Sequence, residues 1–370
     1  MRRQGLVGIA FVALIAASPA AGQRGVSFTP IDGLPGDNPY RSIVQGLSGD
    51  GRVAYGTVRT TGRWEAMVWT RDQGTHSIGG QVVNDASFDG SVMVGLGGRW
   101  TSESGWVQLP KPPGATSVFR SSGVSDDGRV VVGFARRGEN DQAVRWTAGS
   151  GSSWLPMPPE ISDPIAKNAG ADGSIISGHD DGGDGGWVTD GVTSVRLSAG
   201  IRTVMDMTPD GTTFVGERGM LTSCGYILSP ELGFYEIPNM LHHQSGIAWG
   251  VTSDGKTVVG GAGYSLHTAY IWDLEHGTRS IQTLLEELGA DLQGFRLTEA
   301  RAISHDGTVI VGMGVNSVGL EQSWIATIPT PGTLTWPLLG TLSLLRRRAG
   351  DKRASLTRTP HRSAVTGLGA

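Results

Sequence analysis

The sequence has only one cysteine, Cys224, and few segments rich in alanine, glutamate or lysine. No disulfide can form within the chain, and we interpret Cys224 as a buried free thiol at the start of a strand. Motifs of common enzyme classes are also missing, since the chain has no His-Glu-x-x-His, Gly-x-Ser-x-Gly, P-loop or Cys-x-x-Cys. The sequence therefore gives no sign of a zinc protease, an α/β-hydrolase, a P-loop protein or a dithiol redox enzyme.

Glycine, by contrast, is abundant, with 58 residues in a chain of 370. The glycines do not follow the three-residue period of collagen, and the hydrophobic content of 38% is enough for a core. Many short strands joined by tight turns use glycine in this way. The composition therefore predicts an all-β protein.

An Asp-Gly turn, with a second glycine six residues after the aspartate, occurs seven times. The turn aspartates are Asp50, Asp89, Asp127, Asp172, Asp210, Asp254 and Asp306. The second glycines are Gly56, Gly95, Gly133, Gly178, Gly216, Gly260 and Gly312. Two residues before the aspartate stands a serine or threonine in six copies, and Gly170 in the fourth. Short side-chain oxygens and a glycine at these offsets suit a hairpin turn, so we assign the aspartates to turns before any ligand role.

The residues between these turns predict four strands per repeat. Runs such as Val130-Val131-Val132 are apolar on consecutive positions, which is typical of strands buried on both faces. A second set of strands each carries a large ring, which we assign to the core; these rings are Trp69, Trp100, Trp146, Trp187, Tyr226, Tyr270 with Trp272, and Trp324. A further strand ending in proline, such as 233–238, is predicted to be outermost.

The spacings between turn aspartates are 39, 38, 45, 38, 44 and 52 residues, close to the length of a four-stranded propeller blade. The seventh repeat leaves no room for an outer strand before Pro329, whereas 26–31 resembles an outer strand but precedes the first turn. We therefore expect this N-terminal strand to complete the last blade and remove the open edges. The predicted fold is all-β, a seven-bladed β-propeller of four-stranded blades closed by the N-terminal strand.

The units GVSDDGRVVVGFA and QAVRWT, and above all residues 284–329, resemble the HAF-type extracellular repeat proteins of bacteria. The resemblance covers the body from Val26 to Pro329. The His-Ala-Phe that names the repeat is replaced by Gln-Ala-Val or Thr-Ala-Tyr. The resemblance implies a secreted β-propeller and assigns no biochemical role.

The two ends of the chain predict export. Residues 1–22 combine a basic head, an apolar segment and a small-residue exit, which is the pattern of a secretory signal peptide; 23–329 then form the propeller. The segment 330–348, with Pro329-Thr330-Pro331, an apolar run and Arg346-Arg347-Arg348, resembles a PEP-CTERM sorting signal of the cell envelope. A disordered tail with a chance apolar patch is the alternative, and 349–370 is read as a basic disordered tail.

The net charge of −4 is unevenly distributed. Arg2, Arg3 and the tail from Arg346 hold nine of the 30 basic residues but one of the 34 acidic ones, so the net charge of the rest is −12. An acidic body argues against nucleic acid as a partner. We expect contact with a membrane only through the C-terminal segment.

If the Asp-Gly turns all lie on one face of the ring, the loops of unequal length lie on the opposite one. Such loops on a rigid scaffold are where recognition sits, so we expect a protein or polysaccharide partner there. The candidate binding residues are Trp64, placed in a loop; Arg136, Arg137 and Asp141, in another loop; His242 and His243; and Trp249, on an innermost strand beside the channel. A helix is expected at 281–288, before the seventh blade.

Metal and catalytic sites are less defined. Asp180, Asp181 and Asp184 lie on a glycine-rich stretch and could coordinate Ca²⁺, although the full ligand set of a calcium loop is missing and a solvated acidic loop is the default. No other cofactor is expected. Two hypotheses follow: a binding propeller without catalysis, and a propeller-type glycan hydrolase or lyase that uses carboxylates at the channel mouth. No carboxylate pair can be nominated from the sequence.

Overall fold

The structure, a computed structural model, describes residues 25–34, 42–60, 63–96, 98–181, 185–197, 200–219, 223–240, 245–263 and 268–329. Seven four-stranded antiparallel sheets form a ring, which confirms the predicted seven-bladed β-propeller. No helix within the described ranges is long and apolar enough to cross a bilayer. The expected signal peptide, sorting segment and tail lie outside the described residues.

Blades 1 to 4 follow one another along the chain. Blade 1 contains β2 (Ser42–Leu47), β3 (Val53–Arg59), β4 (Trp64–Thr70) and β5 (Gly74–Gly79). Blade 2 contains β6 (Asp85–Ala86), β7 (Val92–Gly95), β8 (Gly98–Thr101) and β9 (Gly105–Gln108). Blade 3 contains β10 (Arg120–Val124), β11 (Val130–Arg137), β12 (Asn140–Thr147) and β13 (Gly151–Trp154). Blade 4 contains β14 (Pro164–Ala169), β15 (Ile176–Asp180), β16 (Trp187–Thr189) and β17 (Ser194–Arg196).

Blades 5 to 7 complete the ring. Blade 5 contains β18 (Ile201–Met207), β19 (Phe214–Arg218), β20 (Cys224–Ser229) and β21 (Gly233–Glu236). Blade 6 contains β22 (Gly246–Val251), β23 (Thr257–Ala262), β24 (Thr268–Asp273) and β25 (Gly277–Ser280). Blade 7 contains β26 (Arg296–Ile303), β27 (Val309–Val315), β28 (Glu321–Thr327) and the N-terminal β1 (Ser27–Ile31). The expected helix is α1 (Ile281–Glu287), capped by Ser280, whose side chain accepts from the Thr283 N–H.

The ring closes through the N-terminal strand, as the sequence predicts. β1 pairs with β28 in antiparallel register from Ser27 opposite Thr327 to Ile31 opposite Ser323. Ile31 is 0% exposed. Ser42, which begins blade 1, donates from its hydroxyl to the Ile31 carbonyl at 2.7 Å. The first and last blades are therefore joined by a strand pairing and by side-chain contacts.

The Asp-Gly turns have the predicted chemistry. In blade 1 the Ser48 hydroxyl donates to Asp50 Oδ1 at 2.7 Å, and the same oxygen accepts the Arg52 N–H at 3.0 Å. The glycine after each turn aspartate has positive φ, between 68° and 74°. The Val53 N–H donates in turn to Ser48 Oγ at 3.0 Å. These aspartates are committed to the turns, in line with the sequence interpretation.

Successive turns are also bonded to one another around this face of the ring, which we call the turn face. A backbone N–H in one turn donates to a carbonyl in the next: Asp50 to Phe88, Phe88 to Asp126, Asp127 to Ala171, Ala171 to Pro209, Ser253 to His305, and His305 to Gly49, at 2.7 to 3.2 Å. At the fifth turn, Pro209 has no N–H to offer. This belt of backbone hydrogen bonds ties the blades together at their inner ends.

A contact with the neighbouring strand explains why the second glycine of each repeat has to be glycine. The innermost strand of six blades has an irregular register, or β-bulge, beside this glycine. A Cβ on this glycine would overlap a carbonyl oxygen of the innermost strand or, in blade 2, of the segment just before it; these carbonyls belong to Ile43, Val82, Arg120, Ile165, Thr203, Ile247 and Glu299. A residue with a side chain would push the innermost strand away from the rest of its blade.

The core lies between the blades. Val131 packs toward blade 2, whereas Val130 and Val132 pack toward blade 4, so this strand is buried on both faces as predicted. The large rings, however, do not share one position. Four of them stand directly opposite the second glycine, namely Trp187, Tyr226, Tyr270 and Trp324. The others, Trp69, Trp100, Trp146 and Trp272, stand two residues further along; of these, Trp100 and Trp146 are only half-buried.

Candidate functional site

The face opposite the turns, the variable-loop face, carries the loops from second to third strand and from each blade to the next. Trp64 lies here and is 41% exposed, but it is the first residue of β4 and not part of a loop as the sequence suggested. It pairs across the hairpin with Arg59, whose guanidinium carbon stands 5.8 Å from the centre of the Trp64 ring. This contact is a cation–π stack at the surface.

The predicted residues of blade 3 lie at the tip of the β11–β12 hairpin, where all three belong to the strands and not to a loop as the sequence suggested. Arg136 faces Asp141 across the hairpin, with Nε 3.6 Å from Oδ1. Arg137 points to the other face of the sheet, where its guanidinium carbon stands 5.5 Å from the Trp154 ring centre. The Trp154 indole N–H donates to the Pro113 carbonyl at 2.9 Å, which fixes the ring beneath the guanidinium.

The acidic loop of blade 4 serves a structural purpose at the positions that are described. Asp180 Oδ1 accepts the Asp163 N–H at 2.9 Å, and the Asp181 N–H donates to the Asp163 carbonyl at 3.0 Å. Asp184 lies outside the described residues. Within the described ranges, no three His, Cys, Asp or Glu side chains gather as a metal site would require. The calcium site stays a prediction.

Cys224 begins β20, as expected, but its side chain is half-buried instead of fully buried. Desolvation raises the pKa of its thiol, which disfavours the reactive thiolate. His242 and His243 lie outside the described residues. Trp249, by contrast, lies where the sequence placed it, on the innermost strand of blade 6 beside the channel.

The innermost strands surround a central cavity of about 210 Å³. One residue of each repeat lines this cavity five positions before the turn aspartate, and in six blades it lies at the bulge; these residues are Gln45, Asn84, Ser122, Lys167, Met205, Trp249 and Arg301. In blade 2 the residue precedes the short β6, and its N–H donates to the Val94 carbonyl at 2.8 Å. The channel is therefore lined by a different type of residue from every blade.

Two aspartates in the channel wall were not found from the sequence. Asp85 Oδ2 accepts the Val124 N–H of blade 3 at 2.8 Å, and Asp206 Oδ2 accepts the Val251 N–H of blade 6 at 2.9 Å. Each carboxylate thus bonds its own blade to the next. Both stand four residues before a turn aspartate, where the other repeats have glycine, alanine or asparagine. Comparing this position across the repeats would have revealed them.

Desolvation in the channel wall raises the pKa of Asp85 to about 6 and that of Asp206 to about 7, although hydrogen bonds from backbone N–H groups act in the opposite direction. The Tyr55 hydroxyl donates to Asp85 Oδ1 at 3.0 Å. Desolvation also lowers the pKa of Lys167, while the charges of Asp85 and Asp206 raise it. The cavity therefore contains carboxyl groups that change protonation near neutral pH.

The turn-face mouth of the cavity carries a different set of side chains. The rings of Phe88 and His305 lie 5.3 Å apart, and both approach Gly49, whose missing side chain leaves room for them. His305 Nε2 is 4.0 Å from Asp126 Oδ1. Desolvation raises the pKa of Asp126, while the charge of His305 lowers it. Three blades thus contribute to this end of the channel.

The structure separates the predicted site residues into two places. Trp249 lines the central cavity, whereas Trp64, Arg136, Arg137 and Asp141 belong to the variable-loop face. Blades 1 and 3, which carry the latter group, are separated by blade 2 alone. The surface residues can make ion pairs and cation–π contacts with a partner, and Asp85 and Asp206 beside Trp249 in the channel can exchange protons.

Comparison with known proteins shows the fold. No family model matches the sequence, and no curated protein matches it. An oligogalacturonate lyase solved in complex with manganese aligns with 82% of this chain and 97% of its own length, at 14% identity and a TM-score of 0.54. A chain of the mitotic checkpoint complex aligns with 87% of this chain over its full length, at 17% identity and a TM-score of 0.51. TolB from Acinetobacter baumannii aligns over 61% of this chain, which spans 62% of that protein, at 14% identity and a TM-score of 0.44.

Proposed function

We propose that the protein is a secreted or cell-envelope propeller that binds a protein or polysaccharide partner through its variable-loop face and performs no catalysis. The observation that carries this proposal is the pair of arginine–tryptophan stacks on that face, Arg59 on Trp64 and Arg137 on Trp154. Arginine and tryptophan are the residues that most often dominate binding energy at interfaces. Holding the guanidinium on a ring reduces the entropy that it loses when a partner binds.

The Asp-Gly turns of the turn face offer little to a partner. Its turn aspartates already accept hydrogen bonds from their own turns, and its backbone groups bond to the neighbouring turns. The turns are also nearly identical around the ring, so they cannot distinguish one partner from another. We infer secretion from the N-terminal sequence. A protein partner in general is supported by the mitotic checkpoint complex, a protein assembly that contains a chain with the same fold.

Site-specific photo-crosslinking tests which face is used. Val318 and Asn140 lie in hairpins of the variable-loop face, and Leu274 and Arg129 lie on the turn face. Val318 and Leu274 are a matched pair, since they are 64% and 61% exposed. With a photoreactive amino acid at each position in cells that produce the protein, we expect adducts from the first two positions only. Adducts from the turn face alone, or equally from both faces, would refute the proposal.

A glycan hydrolase or lyase is the second candidate, and the central cavity is the observation in its favour. Asp85, Asp206 and Tyr55 line one cavity, and general acid–base catalysis works best with groups that titrate near the working pH. Both carboxylates, however, already hold backbone N–H groups of the next blade. Product formation from a polysaccharide panel that is lost in Asp206→Asn but kept in Asp172→Asn, an exposed turn variant, would establish catalysis and end the first proposal.

A further inference from the structure

Blade 2 is shorter than its neighbours on the variable-loop face. Its two middle strands, β7 and β8, have four residues each, against seven in β3 and β4 and eight in β11 and β12. Its hairpin ends with Gly95 opposite Gly98, well before the hairpins on either side. The missing length leaves an open cavity of about 380 Å³, the blade-2 notch, lined by 80–82, 95–96, 98 and 106–108.

The floor of the blade-2 notch is aliphatic. Leu96 is 51% exposed and Val107 is 49% exposed. The third large side chain, Trp106, is held in place, because its indole N–H donates to the carbonyls of Ile78 and Gly79 at 3.1 Å. The Trp106 ring lies so close to Gly80 and Gly98 that a Cβ there would come within 2.7 and 3.0 Å of it. The ring is therefore held against the backbone at Gly80 and Gly98.

Both arginine–tryptophan stacks stand on the sheet faces that look toward blade 2. In blade 1, Tyr55, Ala66 and Val68 pack against blade 2, and Arg59 and Trp64 follow the same alternation. In blade 3, Val131, Ala135 and Val144 pack against Val92 and Val94 of blade 2. Arg137 lies on that face of β11 by the same alternation. One stack therefore stands on each side of the short blade.

These two arginines have no acidic partner among the described residues. Other arginines on the same face do, since Arg63 bonds to Glu65 at 2.8 Å and Arg202 to Glu217 at 3.2 Å. Arg59 and Arg137 are exposed and are held only by the rings beneath them. A guanidinium that is fixed in position and not neutralised is suited to a carboxylate supplied from outside.

We propose that the blade-2 notch is the docking site of an extended acidic peptide segment, with an apolar side chain on Leu96 and Val107 and carboxylates on Arg59 and Arg137. This inference rests on the proposed function and names its partner. The two exposed aliphatic side chains favour a peptide over a polysaccharide, because an apolar peptide side chain can bury against them, whereas the hydroxyl groups of a sugar would lose their hydrogen bonds to water there. In an extended peptide with acidic residues on both sides of an apolar residue, the carboxylates can reach the two arginines while the apolar side chain rests on the patch between them.

The probe is a display library of random 12-residue peptides selected on the immobilised full chain. We expect the selected peptides to be enriched in aspartate or glutamate together with leucine, isoleucine, valine or phenylalanine. Synthetic copies should bind about tenfold more weakly to Arg59→Ala and to Arg137→Ala, the loss expected for one charged hydrogen-bonded contact. Leu96→Ser should weaken binding as well. Arg129→Ala, an exposed arginine on the turn face, is the matched control and should change binding less than twofold.

Selected peptides without an acidic bias, or acidic peptides that bind Arg59→Ala and Arg137→Ala as tightly as the unaltered chain, would overturn the proposal. So would binding of alginate or hyaluronate that depends on these arginines while no peptide binds, since the partner class would then be wrong. These results are separable from the crosslinking test. If crosslinked adducts form at Val318 but no peptide binds the blade-2 notch, the variable-loop face would still be the binding face and only this inference would be lost.

Discussion

Alanine at Gly260 should destabilise the propeller far more than alanine at its neighbour Gly261. A Cβ at Gly260 would lie 2.5 Å from Tyr270 Cζ and closer still to the Ile247 carbonyl oxygen, although real Cβ contacts essentially never fall below 3.0 Å. A Cβ at Gly261 would come nearest to Glu299 Cγ, at 3.3 Å, where the side chain can move, and its backbone neighbours, the Thr298 carbonyl oxygen and Glu299 Cα, would lie at ordinary contact distances of 3.7 and 3.8 Å. Overpacking a core costs about 1–3 kcal/mol, and we expect about 3 kcal/mol here because the obstacle includes backbone.

For a propeller of this size, 3 kcal/mol corresponds to a fall in Tm of roughly 5 °C. Thermal unfolding of the two variants and the unaltered protein, followed by circular dichroism at one scan rate, measures the difference. Size-exclusion chromatography before heating checks that each variant elutes at the same volume as the unaltered chain. If Gly260→Ala and Gly261→Ala had the same Tm, the neighbouring strand would not exclude a side chain at Gly260, and our explanation of the second glycine would be refuted.

Three further predictions concern the turns, the closure and the channel. Ser125→Ala should lower the free energy of unfolding by about 1–3 kcal/mol in urea titrations, because the buried Val130 N–H loses its acceptor; an unchanged midpoint would contradict this. Ile31→Ala should cost about 2–5 kcal/mol, since the side chain is fully buried between the first and last blades, and a smaller loss than for an exposed-strand control would argue against closure by β1. Asp85 and Asp206 have folded-state pKa values above their unfolded values, so the folded protein binds protons more tightly and stability should fall as pH rises from 5 to 8, by on the order of 2–4 kcal/mol. Urea titrations across this range should show a flatter profile for Asp206→Asn, and a profile that rises with pH would contradict the assignment.

The local sequence predicts much of the ring because each repeat contains its own turn. The positive φ at the glycine after Asp50, and the Ser48 hydroxyl that bonds to the aspartate, are settled within a few residues of the chain. The count of blades follows from counting these turns. The closing strand could be inferred because the seventh repeat lacks a fourth strand, and an unpaired edge is costly.

The candidate site was only partly predictable. Trp64 could be identified because its ring falls outside the repeated pattern, and Arg137 because it lies in a segment whose length varies between repeats, but no pattern in the sequence indicates that they flank one short blade. Arg59 and Trp154, their stacking partners, were missed as site residues because a cation–π pair across a hairpin depends on strand register. Asp85 and Asp206 were missed because their carboxylates bond to the backbone of the neighbouring blade.

The sequence by itself determined the repeating unit, since turn chemistry and apolar runs act over a few residues. It also determined that there would be a ring, because seven thin sheets can bury their faces only against one another. The requirement for the second glycine of each repeat arises only in the tertiary structure, because the carbonyl oxygen that excludes a side chain there belongs to a neighbouring segment of the chain. The tertiary structure also decided which residues line the channel and which arginines have no acidic partner within the described part of the chain. Those properties depend on how neighbouring strands and blades meet, and no short stretch of sequence contains both sides of such a contact.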